Sequence, residues 1–375
     1  MPALLVAQTP DQLDAALPAP EHPRAVVIGN LDGVHRGHRA LITQARALLP
    51  ASGRVVALTF TPHPAKILAP QSAPPLLVGL VRKRELLLAA GADAVLELRF
   101  DAAFAALSPV EFVERVLLAG LKAQAVCVGY DFTFGKGRAG DVRVLRELLT
   151  ARGVALAVVE AVAAPDAAPD AAPDIADRAG AAAAPAAGEP LICSSTRVRR
   201  ALGSGQLDEA ERLLGRPPEL EGEVVSGAGR GRTIGVPTAN LQLDGEVVPQ
   251  SGVYAAWAEV LGPTAEHPAT GGGVWIEPRP VLLRRAAAVN VGYNPTFTGP
   301  ARTGAAPPSI EAHLIQPPGE LPLPSLYGQT LRLYLRARLR AERRFPDVAS
   351  LVAQIRNDIA EAEGLLQADN ADRPE

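Results

Sequence analysis

Two histidines three positions apart, His35 and His38, flank Gly37 at the end of the run Gly29-Asn30-Leu31-Asp32-Gly33-Val34-His35-Arg36-Gly37-His38. A short apolar stretch, 24–28, leads into this run, and apolar residues recur at helical spacing after it, so it reads as a strand-to-helix turn. At a helix N-terminus, unpaired backbone N–H groups and the positive end of the macrodipole favour an anion, and two imidazoles add directed donors. Gly37 leaves room for both rings and the backbone to approach one phosphate. Taken alone, His-x-Gly-His fits a glycine-rich turn with two surface histidines equally well. A second edge of the same kind lies at Ser194-Ser195-Thr196-Arg197-Val198-Arg199. Its hydroxyls are ordinary helix caps in isolation. With arginines one and three residues after Thr196, the same start offers hydroxyl and guanidinium donors to a polyphosphate.

The elements that must carry these groups alternate. Apolar strands at 24–28, 54–60, 94–98, 124–128 and 154–162 are separated by helical patterns; Ser108 and Glu111 form a capping box ahead of a helix through 118, and Asp141 opens another. Strands alternating with helices predict a Rossmann-like, doubly wound parallel sheet, with ligands at the carboxyl ends of strands, where His35 and His38 fall. Three Ala-Ala-Pro-Asp units then open an alanine-rich insertion, 163–190, without amphipathic period. Past residue 215 the pattern becomes short strands at 222–225, 252–260, 287–291, 310–315 and 330–339, divided by Gly, Pro and Asn turns, which predicts a small antiparallel β-barrel. Residues 331–339 alternate strictly, with Arg332, Tyr334, Arg336 and Arg338 on one face. A last helix, 347–366, carries an apolar stripe at Val348, Leu351, Val352, Ile355 and Ile359 that should dock on the barrel in a structural role. The expected division is 1–215 and 216–375.

At 375 residues and 48% hydrophobic content the chain is long enough for two cores. A formal net charge of −3 argues against a basic nucleic-acid-binding surface. Nothing reads as a signal peptide or a membrane-spanning run, so a cytoplasmic protein without membrane or nucleic-acid partners is expected. Cys127 and Cys193 fit neither a disulfide framework nor a zinc site.

The ordered motifs together resemble the bacterial bifunctional riboflavin kinase/FMN adenylyltransferase (FAD synthetase) family. In the first half the likeness rests on the histidine run, Thr59-Phe60-Thr61-Pro62-His63-Pro64, Val128-Gly129-Tyr130-Asp131-Phe132-Thr133-Phe134-Gly135 and the Ser-Ser-Thr-Arg edge. In the second half it rests on Gly231-Arg232-Thr233-Ile234-Gly235-Val236-Pro237-Thr238-Ala239-Asn240, Gly252-Val253-Tyr254-Ala255, Asn290-Val291-Gly292-Tyr293-Asn294-Pro295-Thr296-Phe297 and Ile310-Glu311-Ala312-His313. The resemblance implies that the first domain transfers AMP from ATP to FMN, giving FAD and pyrophosphate. Gly29, Asn30, Asp32, Gly33, His35, Gly37 and His38 would then hold the ATP phosphates, with Ser195, Thr196 and Arg199 bracing them from the other side. Asp131 and His63 would lie toward the flavin. It implies that the second domain phosphorylates riboflavin with ATP. There Glu311 would act as base or orienting acceptor at the barrel mouth, and Gly235, Pro237, Thr238 and Asn240 would meet ATP, the last pair as oxygen ligands of Mg2+. The spacing of two puts Thr238 and Asn240 on one side of an extended segment. The small-molecule partners implied are riboflavin, FMN and ATP, and a homo-oligomer is left open.

The chain departs from the family pattern in four places. Leu31 stands where relatives commonly have Phe, and the insertion 163–190 and a Gly/Pro-rich expansion between 261 and 285 both read as loops. The stretch 298–309 before Glu311 is loosened as well.

Overall fold

The computed structural model describes residues 3–18, 21–166, 190–227, 229, 231, 234–292, 308–317, 319–320 and 323–371. The greater part of the 163–190 insertion, Arg232, Thr233, the run from Tyr293 to Phe297 and most of 298–309 lie outside the described residues.

The first half builds the expected parallel sheet. Strands β1 (Leu4–Ala7), β2 (Arg24–Ile28), β3 (Arg54–Thr61), β4 (Ala94–Arg99), β5 (Ala125–Gly129) and β6 (Ala155–Val159) run β1-β4-β3-β2-β5-β6, all neighbours parallel. Every residue of β2 is buried, because helices cover both faces of the sheet. Between the strands lie α1 (Pro10–Ala16), α2 (Arg36–Ala47), α3 (Pro64–Leu68), α4 (Leu80–Ala89), α5 (Ala102–Ala105), α6 (Pro109–Glu111), which runs on as the π-helix Phe112–Gly120, and α7 (Val142–Thr150). The capping box forms, with Ser108 Oγ accepting from Glu111 N and the Glu111 carboxylate accepting from Ser108 N. Asp141 caps α7 in the same way. After the insertion come α8 (Ser195–Gly203) and α9 (Leu207–Leu214), ended by Gly215 in the left-handed region.

The second half closes a six-stranded antiparallel barrel from β7 (Glu219–Val225), β8 (Ala239–Gln242), β9 (Gly252–Leu261), β12 (Val281–Gly292), β13 (Ser309–Leu314) and β14 (Thr330–Arg340), in the order β12-β13-β8-β7-β14-β9. Two register shifts in β14 change what its alternation buries. Leu331, Leu333 and Leu335 join the barrel interior, whereas Ala337 and Leu339 pack against the terminal helix α10 (Val348–Ala371). The docked stripe of α10 also differs from the expected one. Val348 opens the helix at 62% exposure, while Ile359 of the expected stripe docks together with Ala362 and Leu366, which lie beyond it.

The reading of 261–285 as a loop is corrected. Within it, β10 (Glu266–Pro268) and β11 (Val274–Ile276) leave the barrel through a neck where Gly262 N donates to Pro280 O at 2.9 Å. They extend the first sheet to eight strands, β11 lying antiparallel to β1 through Leu4↔Ile276, Leu5↔Trp275 and Val6↔Val274. Three apolar residues between glycines and prolines give too short a run to announce a strand; the exposed edge of β1 supplies the partner that makes one.

A buried ion-pair network also joins the halves. On α4, Arg82 pairs with Glu219 of β7, and Glu85 pairs with Arg279 and with Arg332 of β14; both arginines also reach Glu221. The even face of β14 therefore turns partly toward the other half, and Arg332 is buried.

Candidate functional site

His35 occupies the N-cap position of α2, but its side chain makes no cap bond; in the first turn the Gly37 N–H bonds to the Cys193 sulfur. The two rings stack at 3.7 Å between centroids with 19° between planes. A Cβ at Gly37 would lie 3.1 Å from His35 Cε1, which is why glycine stands beneath the ring. Nδ1 of each ring is buried with no hydrogen-bond partner among the described residues, which leaves Nε2 as the ring nitrogen for a ligand to engage. Burial, then Arg216 and Arg199, pushes the His35 pKa down to about 4; burial, then His35, Lys83 and Arg216, holds His38 well below its ordinary value. Both imidazoles are neutral at physiological pH, and each can donate one N–H.

These rings line a cavity of about 360 Å³ together with Gly29, Asn30, Gly37, Asp131, Ser195 and Thr196. Asp32, Gly33 and Arg199 do not line it. Asp32 is the knot that ties the loop: its carboxylate accepts from Leu77 N at 3.0 and 3.2 Å and pairs with Arg199, while its carbonyl accepts from Ser195 Oγ at 3.0 Å. Arg199 Nε also donates to Pro75 O at 2.6 Å. The two phosphate-facing edges read from the sequence are thus bonded to each other. Gly33, at φ +76°, packs against Leu77, where a Cβ would fall 2.6 Å from Cδ1. Next to Leu77, Leu76 exchanges backbone bonds with Gly245 and Val247 of the barrel half. Arg216, in the connection between the halves, donates to Val34 O at 3.4 Å and pairs with Glu219, so the barrel half also reaches the histidine loop.

A second cavity, about 570 Å³, shares Gly29, Asn30, Asp131 and Phe132 with the first. Six of the chain's eight phenylalanines line it: Phe60, Phe100, Phe104, Phe112, Phe132 and Phe134. Their centroids stand 5.4 to 6.2 Å apart at tilted, edge-on or stacked angles. Such a box suits a flat heteroaromatic ring. Sequence reasoning missed it; the only signal was that so few phenylalanines cluster at strand ends and the helices after them. His63 does not line it but sits behind Asn30 and Pro64, which do, accepting from Ala65 N through Nδ1, with Nε2 3.3 Å from the Asn30 carboxamide. Burial lowers its pKa against the pull of Asp32.

The third cavity, about 310 Å³, lies in the barrel half and holds Thr238, Glu311 and His313. Glu311 is not at the barrel mouth. In β13 the buried residues Ile310, Ala312 and Leu314 fill the interior, so Glu311 and His313 point to the outer wall, where they line this cavity. The terminal helix, expected to be structural, contributes Leu351, Ile355, Asp358 and Ile359 to this cavity. Cross-strand register sets Glu311 directly opposite Asn240 on one side and Asn290 on the other. Asn290 was quoted as part of a motif only, without a role. Thr238 and Asn240 are both part-exposed around buried Ala239, as the spacing of two requires. His313 Nδ1 donates to Pro237 O at 2.8 Å and pins the preceding loop, which turns through Gly235 at φ +78°.

Two family models match the chain: FAD synthetase over residues 17–168 and riboflavin kinase over residues 214–366. The bifunctional riboflavin kinase/FMN adenylyltransferase of Escherichia coli (strain K12) is 34% identical over 91% of this chain and 92% of its own. That of Pseudomonas fluorescens is 32% identical over 92% and 94%, and that of Bacillus subtilis (strain 168) 30% over 90% and 90%. A crystal structure described as a macrolide-efflux protein from Streptococcus pneumoniae superposes with a TM-score of 0.69 over 96% of this chain and 98% of that one, at 27% identity. Among the described residues no helix is long and apolar enough to cross a membrane. With both family models matched in one chain, and relatives collinear with nearly all of it, the chain belongs to the bifunctional riboflavin kinase/FMN adenylyltransferase family.

Proposed function

We propose that the two activities of this enzyme are divided between the histidine cavity and the Glu311 cavity. The chain phosphorylates riboflavin to FMN with ATP, then transfers AMP from a second ATP to FMN, giving FAD and pyrophosphate. The observation that carries the division is that these two cavities have no lining residue in common, while the aromatic cavity adjoins only the first.

In adenylyl transfer the nucleophile is a phosphate oxygen, already ionised near neutrality, so no strong base is needed. The neutral rings of His35 and His38 at the positive end of the α2 dipole hold the ATP phosphates, and Ser195 and Thr196 face them from α8. The phenylalanine box takes the isoalloxazine, and Asn30 and Asp131, which line both spaces, stand where the FMN phosphate meets the α-phosphorus. Asp32 and Arg199 serve this site by holding the loop rather than by touching nucleotide.

In the kinase reaction the nucleophile is a neutral alcohol. Glu311, set between Asn240 and Asn290, accepts the proton of the riboflavin 5′-hydroxyl as it attacks the γ-phosphorus. Thr238 Oγ1 and Asn240 Oδ1 are hard, neutral oxygen donors of the kind that completes the coordination of Mg2+ held mainly by ATP phosphates, and the ion would neutralise charge on those phosphates. We place the enzyme in the cytoplasm with small-molecule partners only.

The test is incubation with riboflavin, ATP and Mg2+, with FMN and FAD separated by chromatography. His38→Ala should stop FAD formation while FMN accumulates; Glu311→Ala should stop FMN formation but leave conversion of supplied FMN intact. Loss of both steps from either folded variant would refute the division.

A further inference from the structure

Lys83, on α4, is 8% exposed, and its ammonium has one hydrogen-bond partner, Thr59 Oγ1 at 3.1 Å. Among the described residues it makes no ion pair. Of the two carboxylates that act on it, Glu97 is taken by Arg84 through bonds of 2.9 and 2.6 Å, and Asp32 is taken by Arg199. Burying an ammonium group with so little return is costly, and such a group calls for a role. Its surroundings point to one. Thr59, fully buried at the carboxyl end of β3, donates its single hydroxyl proton to Asn30 O at 3.0 Å. The direction of the chain is therefore fixed: an ammonium can only donate, so the hydroxyl accepts from Lys83 and must give its proton to Asn30. Asn30 is one of the few residues that line both the nucleotide cavity and the aromatic cavity. The positive charge also reaches the site, since it helps depress both His38 and His63. Its neighbours on α4, Arg82 and Glu85, are clamped to the barrel half, so the ammonium is presented from a rigid element.

We propose that Lys83 is a positioning residue for adenylyl transfer: through Thr59 it locks the carbonyl of Asn30, and with it the wall on which the ATP and flavin spaces meet. Without it the Thr59 hydroxyl is free to rotate, and the backbone between the FMN phosphate and the α-phosphorus loses its fixed place. The inference rests on the reading of the histidine cavity as the adenylyl-transfer site.

The experiment uses the full chain with Lys83→Met, which keeps the apolar stem, Thr59→Val, which keeps the shape without the hydroxyl, the double variant, Lys83→Arg and His38→Ala. FAD formation is followed from FMN and ATP, and FMN formation from riboflavin and ATP. Lys83→Met and Thr59→Val should each lower kcat for FAD formation about tenfold or more, with KM for ATP within about twofold of the parent. The double variant should be no slower than the slower single one, because both changes break one chain of bonds. Lys83→Arg should recover most of the rate, and FMN formation should be unchanged throughout. An unaltered kcat in Lys83→Met, multiplied effects in the double variant, or a parallel fall in both activities would overturn the proposal. If Lys83→Met is silent while His38→Ala abolishes FAD formation, the lysine's role alone is rejected; if His38→Ala stays fully active, the site reading falls with it.

Discussion

Replacing Glu219 by Gln should weaken the fold by about 3 kcal/mol, because this carboxylate is the buried node between α4, the inter-module connection and the barrel. Its side chain is 2% exposed. It accepts from Arg82 at 3.1, 3.1 and 2.9 Å and from Arg216 at 3.4 and 3.2 Å. Burial opposes its charge, but Arg216, Arg82 and Arg332 outweigh burial and lower its pKa from the ordinary 4.5 to about 2. A lowering of that size corresponds to about 3 kcal/mol of folding free energy at neutral pH. Removing one partner from a buried ion pair costs about 3–5 kcal/mol, which agrees. Glutamine keeps the shape but turns a donor amide toward two guanidinium groups, so nothing replaces the lost acceptor.

The sign of the pH dependence follows from a depressed carboxylate. The contribution is complete above pH 4.5, where the unfolded chain is also ionised, and is lost as pH falls toward 2. Urea unfolding of parent and Glu219→Gln, followed by circular dichroism at pH 7 and again near pH 3, should therefore show a gap that narrows at the lower pH. A gap below about 1 kcal/mol at pH 7, the value of an exposed pair, would refute the reasoning. So would a gap that does not change with pH.

Three further outcomes follow from the same geometry. With His35 pushed down to about 4 and His38 well below its ordinary 6.5, neither imidazole should titrate near pH 6.5 when its ring resonances are followed by NMR in the ligand-free protein; a titration there would contradict the neutral rings. Arg216→Met removes the charge that, after burial, does most to depress His35, so the His35 titration should move to higher pH, as the same NMR titration would show. Cutting out 264–278 and rejoining the chain at the Gly262 and Pro280 neck should leave the β9–β12 hairpin but bare the edge of β1. The expected results are faster proteolysis of the first half and association detectable by light scattering.

What the sequence disclosed were features whose chemistry is local. The histidine loop is contiguous, and its glycines are needed for reasons visible within ten residues: a ring leaning over Gly37 and a left-handed turn at Gly33. Thr238 and Asn240 face one way because a strand has a period of two. Ser108 and Asp141 marked helix starts by hydrogen bonds that span three residues. Hidden features depend on residues far apart in the chain. The phenylalanine box gathers side chains from 60 to 134 only because parallel strands end together. Arg332 meets Glu85 across 247 positions. The role of Asp32 was legible as a position but not as a contact, since Leu77, Arg199 and Ser195 come to it from three separate segments. Asn290 became a neighbour of Glu311 through strand register, which composition does not encode.

On the proposed assignment, the two sites differ as their nucleophiles do. Where the attacking group is an anion, the protein keeps its nearby imidazoles neutral, offers them as donors, and carries its fixed charge behind the wall on Lys83, Arg199 and Arg216. Exposed cations there would bind both phosphates tightly in the ground state and gain little at the α-phosphorus; fixed dipoles in front of remote charge favour the geometry in which the two anions meet. Where the attacking group is an alcohol, the protein does the opposite and sets a carboxylate between two carboxamides, on a barrel wall whose cavity the terminal helix helps to line. The network and the strand-forming excursion that join the two halves then have a physical purpose beyond adhesion. α4 is held on one side by the barrel through Arg82 and Glu85 and acts on the other through Lys83, so the placement of Asn30 is set partly by contacts with the kinase half.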